Sequence, residues 1–428
     1  MKKRKVIFGI FISAIFLIAI LLLVFIKTKN YNETIINLTD EEKIQDFEYL
    51  CDILDGTYPF WNEVAERGID KNLVYEKYKN EVHEANTDIE FMELVRYFLN
   101  EFKGYGHLSV LDGYMYDLYD KTFALGLAEL NDMEMKRMKP WYDVLYNPIS
   151  KETYSLLDSS HTGFRSIKGL KNEYTEQNSS ITAEQETREE NLLFDIIVED
   201  EIAYLKIYSF DFANIQTDSM KLQNFFNKVA QYPHLIIDLQ DNSGGSDKYW
   251  KELIVSPNLS EAKAFERYFL VRQKSLNSPF LNAYFDESDI LPIEKLPRFE
   301  KLQKDNLPFF TNYVMAKEMI YSTRDEKQFN GKIWVLTSPK VYSSSENFIM
   351  FCKNTGFATL VGTSTGGDGG IADPILLSLP NSGLIIRFSM FYGLNNDGTG
   401  NEAIGTLPNI MIKDDENALD ICISQIND

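Results

Sequence analysis

"HLIIDLQDNSGGS", residues 234–246, is a short apolar run that breaks abruptly into Asp, Asn, Ser and two glycines. Such a run bounded by turn residues reads as a buried strand. The same device recurs on both sides of it. "FDIIVEDEIAYLKIYSF" (194–210) reads as two strands around an acidic turn, although periodicity alone also admits a five-residue helical fragment. A helix is predicted over 217–230, an irregular stretch from about 250 to 328, a strand at "KIWVLTS" (332–338), a helix from about 344, and a strand at "ATLVG" (358–362). Strands alternating with helices place residues 195–428 in the α/β class, with an insertion around 250–330. No internal repeat is present.

Upstream, Thr39–Asp40–Glu41–Glu42 and Thr87–Asp88–Ile89–Glu90 are capping boxes, each followed by apolar residues at helical spacing, so residues 30–114 form a helical N-terminal region. Residues 115–194 have a weaker pattern and read as a variable linker or small subdomain. The polar run "NEYTEQNSSITAEQETREEN" (172–191) is its most linker-like part. The first 29 residues are a basic cluster, Lys2 to Lys5, followed by an apolar run from Val6 to Ile26 with Ser13 as its only polar side chain. About 20 apolar residues at ~1.5 Å each span a bilayer. The rival reading, a cleaved signal peptide, has a shorter apolar core and a small-residue cleavage site, where this chain has Lys27–Thr28–Lys29–Asn30. The expectation is a single-pass transmembrane anchor in the cell membrane, with the basic cluster cytoplasmic and the C-terminal domain extracytoplasmic.

Charge excludes some partners. With 43 Lys+Arg against 64 Asp+Glu the chain carries −21, and six of its basic residues precede residue 30, so nucleic acid is an unsuitable partner. Cys51, Cys352 and Cys422 are too few and too far apart for a disulfide framework, and His83, His107, His161 and His234 have no metal-ligand spacing. No metal site and no cofactor are implied.

Five stretches could carry chemistry. "DNSGG" (241–245) could bring backbone N–H groups to a ligand, or be an ordinary strand-to-helix turn. "KVYSSSENFIMF" (340–351) is either a capped helix start or a serine elbow. "GTSTGGDGG" (362–370) carries Asp368 where a phosphate loop needs lysine, so phosphate binding is excluded. "GYGHLSV" (104–110) sets His107 in a glycine turn, with Ser109 on the same face if the segment is extended, and "NEAIGTLPNIMI" (401–412) offers Glu402.

Taken in order, these motifs resemble the carboxy-terminal-processing, or tail-specific, serine peptidases, and more closely the branch of the tricorn core and the interphotoreceptor retinoid-binding modules. The likeness covers 195–412 well and 40–110 weakly. It implies a crotonase-like ββα core, with the nucleophile three residues before the elbow glutamate, which is Ser343. It also implies an oxyanion hole of the Ser344 amide with Gly244 or Gly245, and a base, His107, supported by Glu402 directly or through Ser109. The processing branch uses a lysine base where this chain has Asp368, so a Ser–Lys dyad is absent, and no PDZ module is recognisable in 115–194. Two functions follow from the resemblance: a serine endopeptidase acting on peptide or protein substrates, or a non-catalytic peptide- or ligand-binding protein that keeps the fold.

Overall fold

The computed structural model describes residues 36–127, 132–157, 164, 190–302, 304–370, 373–413 and 415–427. The apolar run 6–26 and all but the end of the polar run 172–191 lie outside them. Among the described residues no helix is long and apolar enough to cross a membrane.

The described residues form thirteen strands: β1 Ser109–Val110, β2 Leu192–Val198, β3 Ile202–Ile207, β4 His234–Asp238, β5 Lys263–Val271, β6 Ile290–Pro292, β7 Asn312–Ile320, β8 Lys332–Thr337, β9 Thr359–Gly362, β10 Ile375–Ser378, β11 Ile385–Phe388, β12 Tyr392–Leu394 and β13 Ile410–Met411. Six make the main sheet in the order β13-β9-β8-β4-β3-β2, parallel except for the β2–β3 hairpin. β4 lies in its middle, and its side chains are buried on both faces. Leu235 and Ile237 meet Val335, Phe348 and Phe351 on one side. Ile236 meets Trp334, Leu336 and the C-terminal helix Ala418–Asn427 on the other. That two-sided burial is why its sequence is continuously apolar rather than alternating.

The stretch 250–328, predicted to be irregular, contains two nine-residue antiparallel strands, β5 and β7, in a second sheet of order β12-β5-β7-β6. "KAFERYFLV" (263–271) hid its strand character because charged residues interrupt an otherwise aromatic and aliphatic run. One of them, Arg267, is buried.

Both capping boxes form, opening the helices Asp40–Thr57 and Asp88–Asn100. Three further helices, Gly113–Leu127, Asp132–Leu145 and Pro148–Leu156, follow where sequence periodicity is weak. The helical region packs through aromatic edges, such as Phe47 on Phe98 at 4.9 Å and Trp61 on Phe102 at 5.2 Å. It joins the rest of the chain through β1, which pairs with β11 and matches Ser109 to Arg387.

Candidate active site

The turns after β4, β8 and β9 all leave the main sheet at the carboxyl ends of parallel strands, where α/β sheets place their sites. β8 runs into the elbow, and the helix Ser344–Thr355 begins immediately after Ser343. Ser343 has φ +57° and ψ −122°, a conformation that a side chain adopts only when its surroundings impose it. Its N–H donates to Gly367 O (3.1 Å) and its carbonyl accepts from Asn347 N (3.0 Å), which fixes the turn from both sides. Of the three serines only Ser343 faces an imidazole. Ser345 is fully buried and donates to Asn242 Oδ1 (2.6 Å), the same oxygen that accepts the Gly244 N–H (3.0 Å), so it ties the elbow to the glycine turn.

Gly244 cannot carry a side chain, since a Cβ there would stand 2.8 Å from Tyr342 O and 3.1 Å from Ser344 N. Its amide is engaged by Asn242, whereas the amides of Gly245 and Ser344 donate to no acceptor among the described residues. Gly245 makes a parallel bridge with Phe210, in which Phe210 bonds to Gly244 O and Ser246 N. The Gly245 N–H therefore points away from Phe210.

His107 arrives from the helical region on a turn with Gly104, Gly106 and His107 all at positive φ. Gly106 is obligatory, because a Cβ there would meet the Phe60 ring at 2.2 Å. His107 Nε2 lies 3.3 Å from Ser343 Oγ and 2.5 Å from Asp368 Oδ2. Asp368, also at positive φ, accepts from Ser389 Oγ on its other oxygen (3.1 Å), and the Ser389 N–H donates to Gly106 O (2.6 Å). Ser389 thus joins the histidine turn to the aspartate loop. The loop is fastened again at Gly369, whose N–H donates to Asn401 Oδ1 (2.7 Å), and at Gly370, whose carbonyl accepts from buried Arg267 (2.9 Å) and Asn347 (2.9 Å). Glu346, buried one turn into the helix, accepts from Asn401 (2.6 Å) and Thr406 (2.5 Å) and anchors the same network.

Glu402 and Ser109, expected behind the imidazole, bond to the backbone of its turn instead. Glu402 Oε1 accepts from Gly106 N (2.6 Å) and Tyr342 OH (3.3 Å), and Ser109 Oγ donates to the carbonyl of His107 (3.1 Å). Sequence reading missed the contact that Asp368 makes.

Burial pushes the His107 pKa below its ordinary value, and the Arg387 cation adds to this. Asp368 opposes both without reversing the direction. Glu402 is pushed well above the usual carboxylate range by burial and by repulsion from Asp368, against the hydrogen bonds from Gly106 and Tyr342. Among the described residues no group of three or more His, Cys, Asp or Glu could hold a metal ion.

Residues 201–412 match the model of peptidase family S41. No curated protein matches the sequence. Among solved structures, a candidate peptidase from Parabacteroides merdae is 18% identical, with 91% of this chain and 97% of that one covered and a TM-score of 0.51. Mature CPAF in complex with lactacystin is 13% identical, with 91% and 96% covered and a TM-score of 0.50. At these identities the two likenesses speak to the fold, while the family model speaks to descent. The elbow, the glycine turn, the aspartate loop and Glu402 all fall inside the matched span, and residues 201–412 belong to peptidase family S41, a family of serine peptidases.

Proposed function

We propose that the protein is a serine endopeptidase in which Ser343 is the nucleophile and His107 its base. The observation that carries this reading is the 3.3 Å approach of His107 Nε2 to Ser343 Oγ on a strained elbow beside two undonated amides. A serine hydroxyl is a weak nucleophile until a positioned base removes its proton. Nε2 takes the Oγ proton as Oγ bonds to the peptide carbonyl carbon, and the carbonyl π pair moves onto oxygen. The Ser344 and Gly245 amides hold that oxyanion. Nε2 then delivers the proton to the leaving amine, and water reverses the sequence to release the acid from Ser343. Asp368 and Ser343 meet the same nitrogen, so the carboxylate yields Nε2 while the neutral imidazole accepts a proton and regains it once the imidazolium forms. Glu402 holds the turn that presents His107. The β2–β3 hairpin followed by the helix Asn214–Lys228 supports the crotonase-like ββα core that the family likeness implies.

The shorter distance of Asp368 to Nε2 favours a second reading, in which the imidazole is tied up and the cleft only binds peptides. A fluorophosphonate, which transfers phosphorus to an activated serine, separates the two. Labelling of the wild type that disappears in Ser343→Ala is the expected outcome, and an unlabelled wild type would make the protein a binder.

The apolar run 6–26 supports a single-pass anchor that places this domain outside the cell membrane. The intact protein should stay in membranes through high-salt washing and lose its ectodomain to protease added outside. A soluble form trimmed near residue 30 would mean a signal peptide.

A further inference from the structure

A cavity of about 420 Å³ opens beside the site, and the mechanism above leaves its space unused. It is walled by the turns that present the catalytic groups: Gly104 and Tyr105 before His107, Tyr342 before the nucleophile, and Thr365 and Gly366 before Asp368. It shares Tyr342 and Glu402 with the site: the Tyr342 hydroxyl and the Gly106 N–H both donate to Glu402 Oε1, at 3.3 and 2.6 Å. Two cations line it. Arg67 lies over the Tyr105 ring, 4.9 Å from its centroid, and makes no ion pair among the described residues. Lys103, on the left-handed residue that begins the histidine turn, adds a second positive charge. The chain as a whole carries −21, so two cations lining one cavity run against the prevailing charge.

Among the residues lining the cavity there is one carboxyl. This group, Glu402, is 7% exposed, and burial together with Asp368 biases it to its neutral form. The walls also suit an aliphatic stem: the rings of Tyr105 and Tyr342 and the half-exposed Ile404 supply apolar surface beside the cations. An anion on a few methylenes matches this combination, whereas a cationic or purely apolar side chain does not.

We propose that this cavity receives the carboxylate side chain of a substrate residue close to the scissile bond, making the protein selective for acidic peptides. The proposal rests on the peptidase reading of Ser343 and His107. It is tested on the full chain with matched peptides carrying Glu, Gln or Lys at each of the three positions on either side of the cleaved bond. At one position Glu should exceed Gln in kcat/KM by about tenfold, the scale of a charge-assisted hydrogen bond. Arg67→Ala should bring that ratio towards one, and Arg67→Glu should turn the preference to Lys. Amidating the peptide's C-terminus should leave the ratio unchanged. A wild type that labels at Ser343 and cleaves peptides without Glu preference at any position would overturn the pocket assignment and leave the peptidase reading intact. So would a preference that survives both Arg67→Ala and Lys103→Ala, or a dependence on a free C-terminus alone, which would put the chain-end carboxylate in the cavity. Absence of both cleavage and labelling would remove the peptidase reading and this proposal with it.

Discussion

Ser343 follows a strand buried in the middle of a parallel sheet, at the start of a helix whose first two turns are almost wholly buried, and its backbone bonds, to Gly367 and Asn347, are made inside residues 201–412. His107 hangs on a glycine turn between helices of another region, held by Glu402 and Ser389 across more than 280 residues of sequence. The nucleophile's conformation is therefore part of the folding of the sheet. The base's position depends on docking. A lesion in the docking contacts should cost activity without unfolding the nucleophile half, whereas the sheet cannot be loosened without losing both.

The largest effect tests the nucleophile side. Ser343→Ala should lower kcat/KM by at least about 10⁴-fold, while Ser345→Ala, which removes a structural bond to Asn242, should cost about tenfold or less. If the Ser345 variant is the dead one, the elbow has been assigned in the wrong register. The next effect tests the docking side. Gly106→Ala forces a methyl against Phe60 and a side chain into the left-handed region, so it should cost about 1–3 kcal/mol in denaturant unfolding and shift His107 away from Ser343. A variant with normal kcat would show that the turn does not hold the base.

Smaller effects separate the two carboxyls. Because His107 acts when neutral and its pKa is lowered, wild-type kcat/KM should rise through a single ionisation below about pH 6.5 and be flat above it. Asp368→Asn removes the anion that opposes the lowering, so the limb should move to still lower pH, with plateau turnover within about tenfold of wild type. A shift to higher pH would mean that Asp368 does not face the base. Glu402→Gln keeps an acceptor for Gly106 N–H and should change turnover least. Its stability effect has a definite sign. The folded state holds the Glu402 proton above the pH at which the unfolded chain releases it, so wild-type stability falls as pH rises past about 4.3. Thermal unfolding of Glu402→Gln should thus exceed wild type at neutral pH and converge with it in acid. A collapse of activity in this variant would return Glu402 to the role of the histidine's anion.

Much of this is legible in the sequence. Local chemistry announced itself: the capping boxes at Thr39 and Thr87, the two-sided apolar run of β4, the glycine turn after it and the serine elbow depend on neighbours within a few residues. What sequence hid depends on juxtaposition. Nothing near Asp368 says that its carboxylate meets an imidazole 261 positions earlier, and nothing near Glu402 says that it serves a backbone amide. β5 stayed hidden for a related reason. Arg267 looks like a surface charge until the opposite helix and the aspartate loop supply Asn347 Oδ1 and Gly370 O to receive it.

The pairing of a sheet-borne serine with a docked histidine is tested most directly by the rate at which a fluorophosphonate modifies Ser343 in wild type and in His107→Ala, followed against pH. Wild type should label with a rate that rises through one ionisation below about pH 6.5, and the variant should label about 10²- to 10⁴-fold more slowly with no such step. Equal rates in the two proteins, or a wild-type rate that climbs only in the alkaline range where imidazole is already neutral, would contradict the assignment of His107 as the base for Ser343.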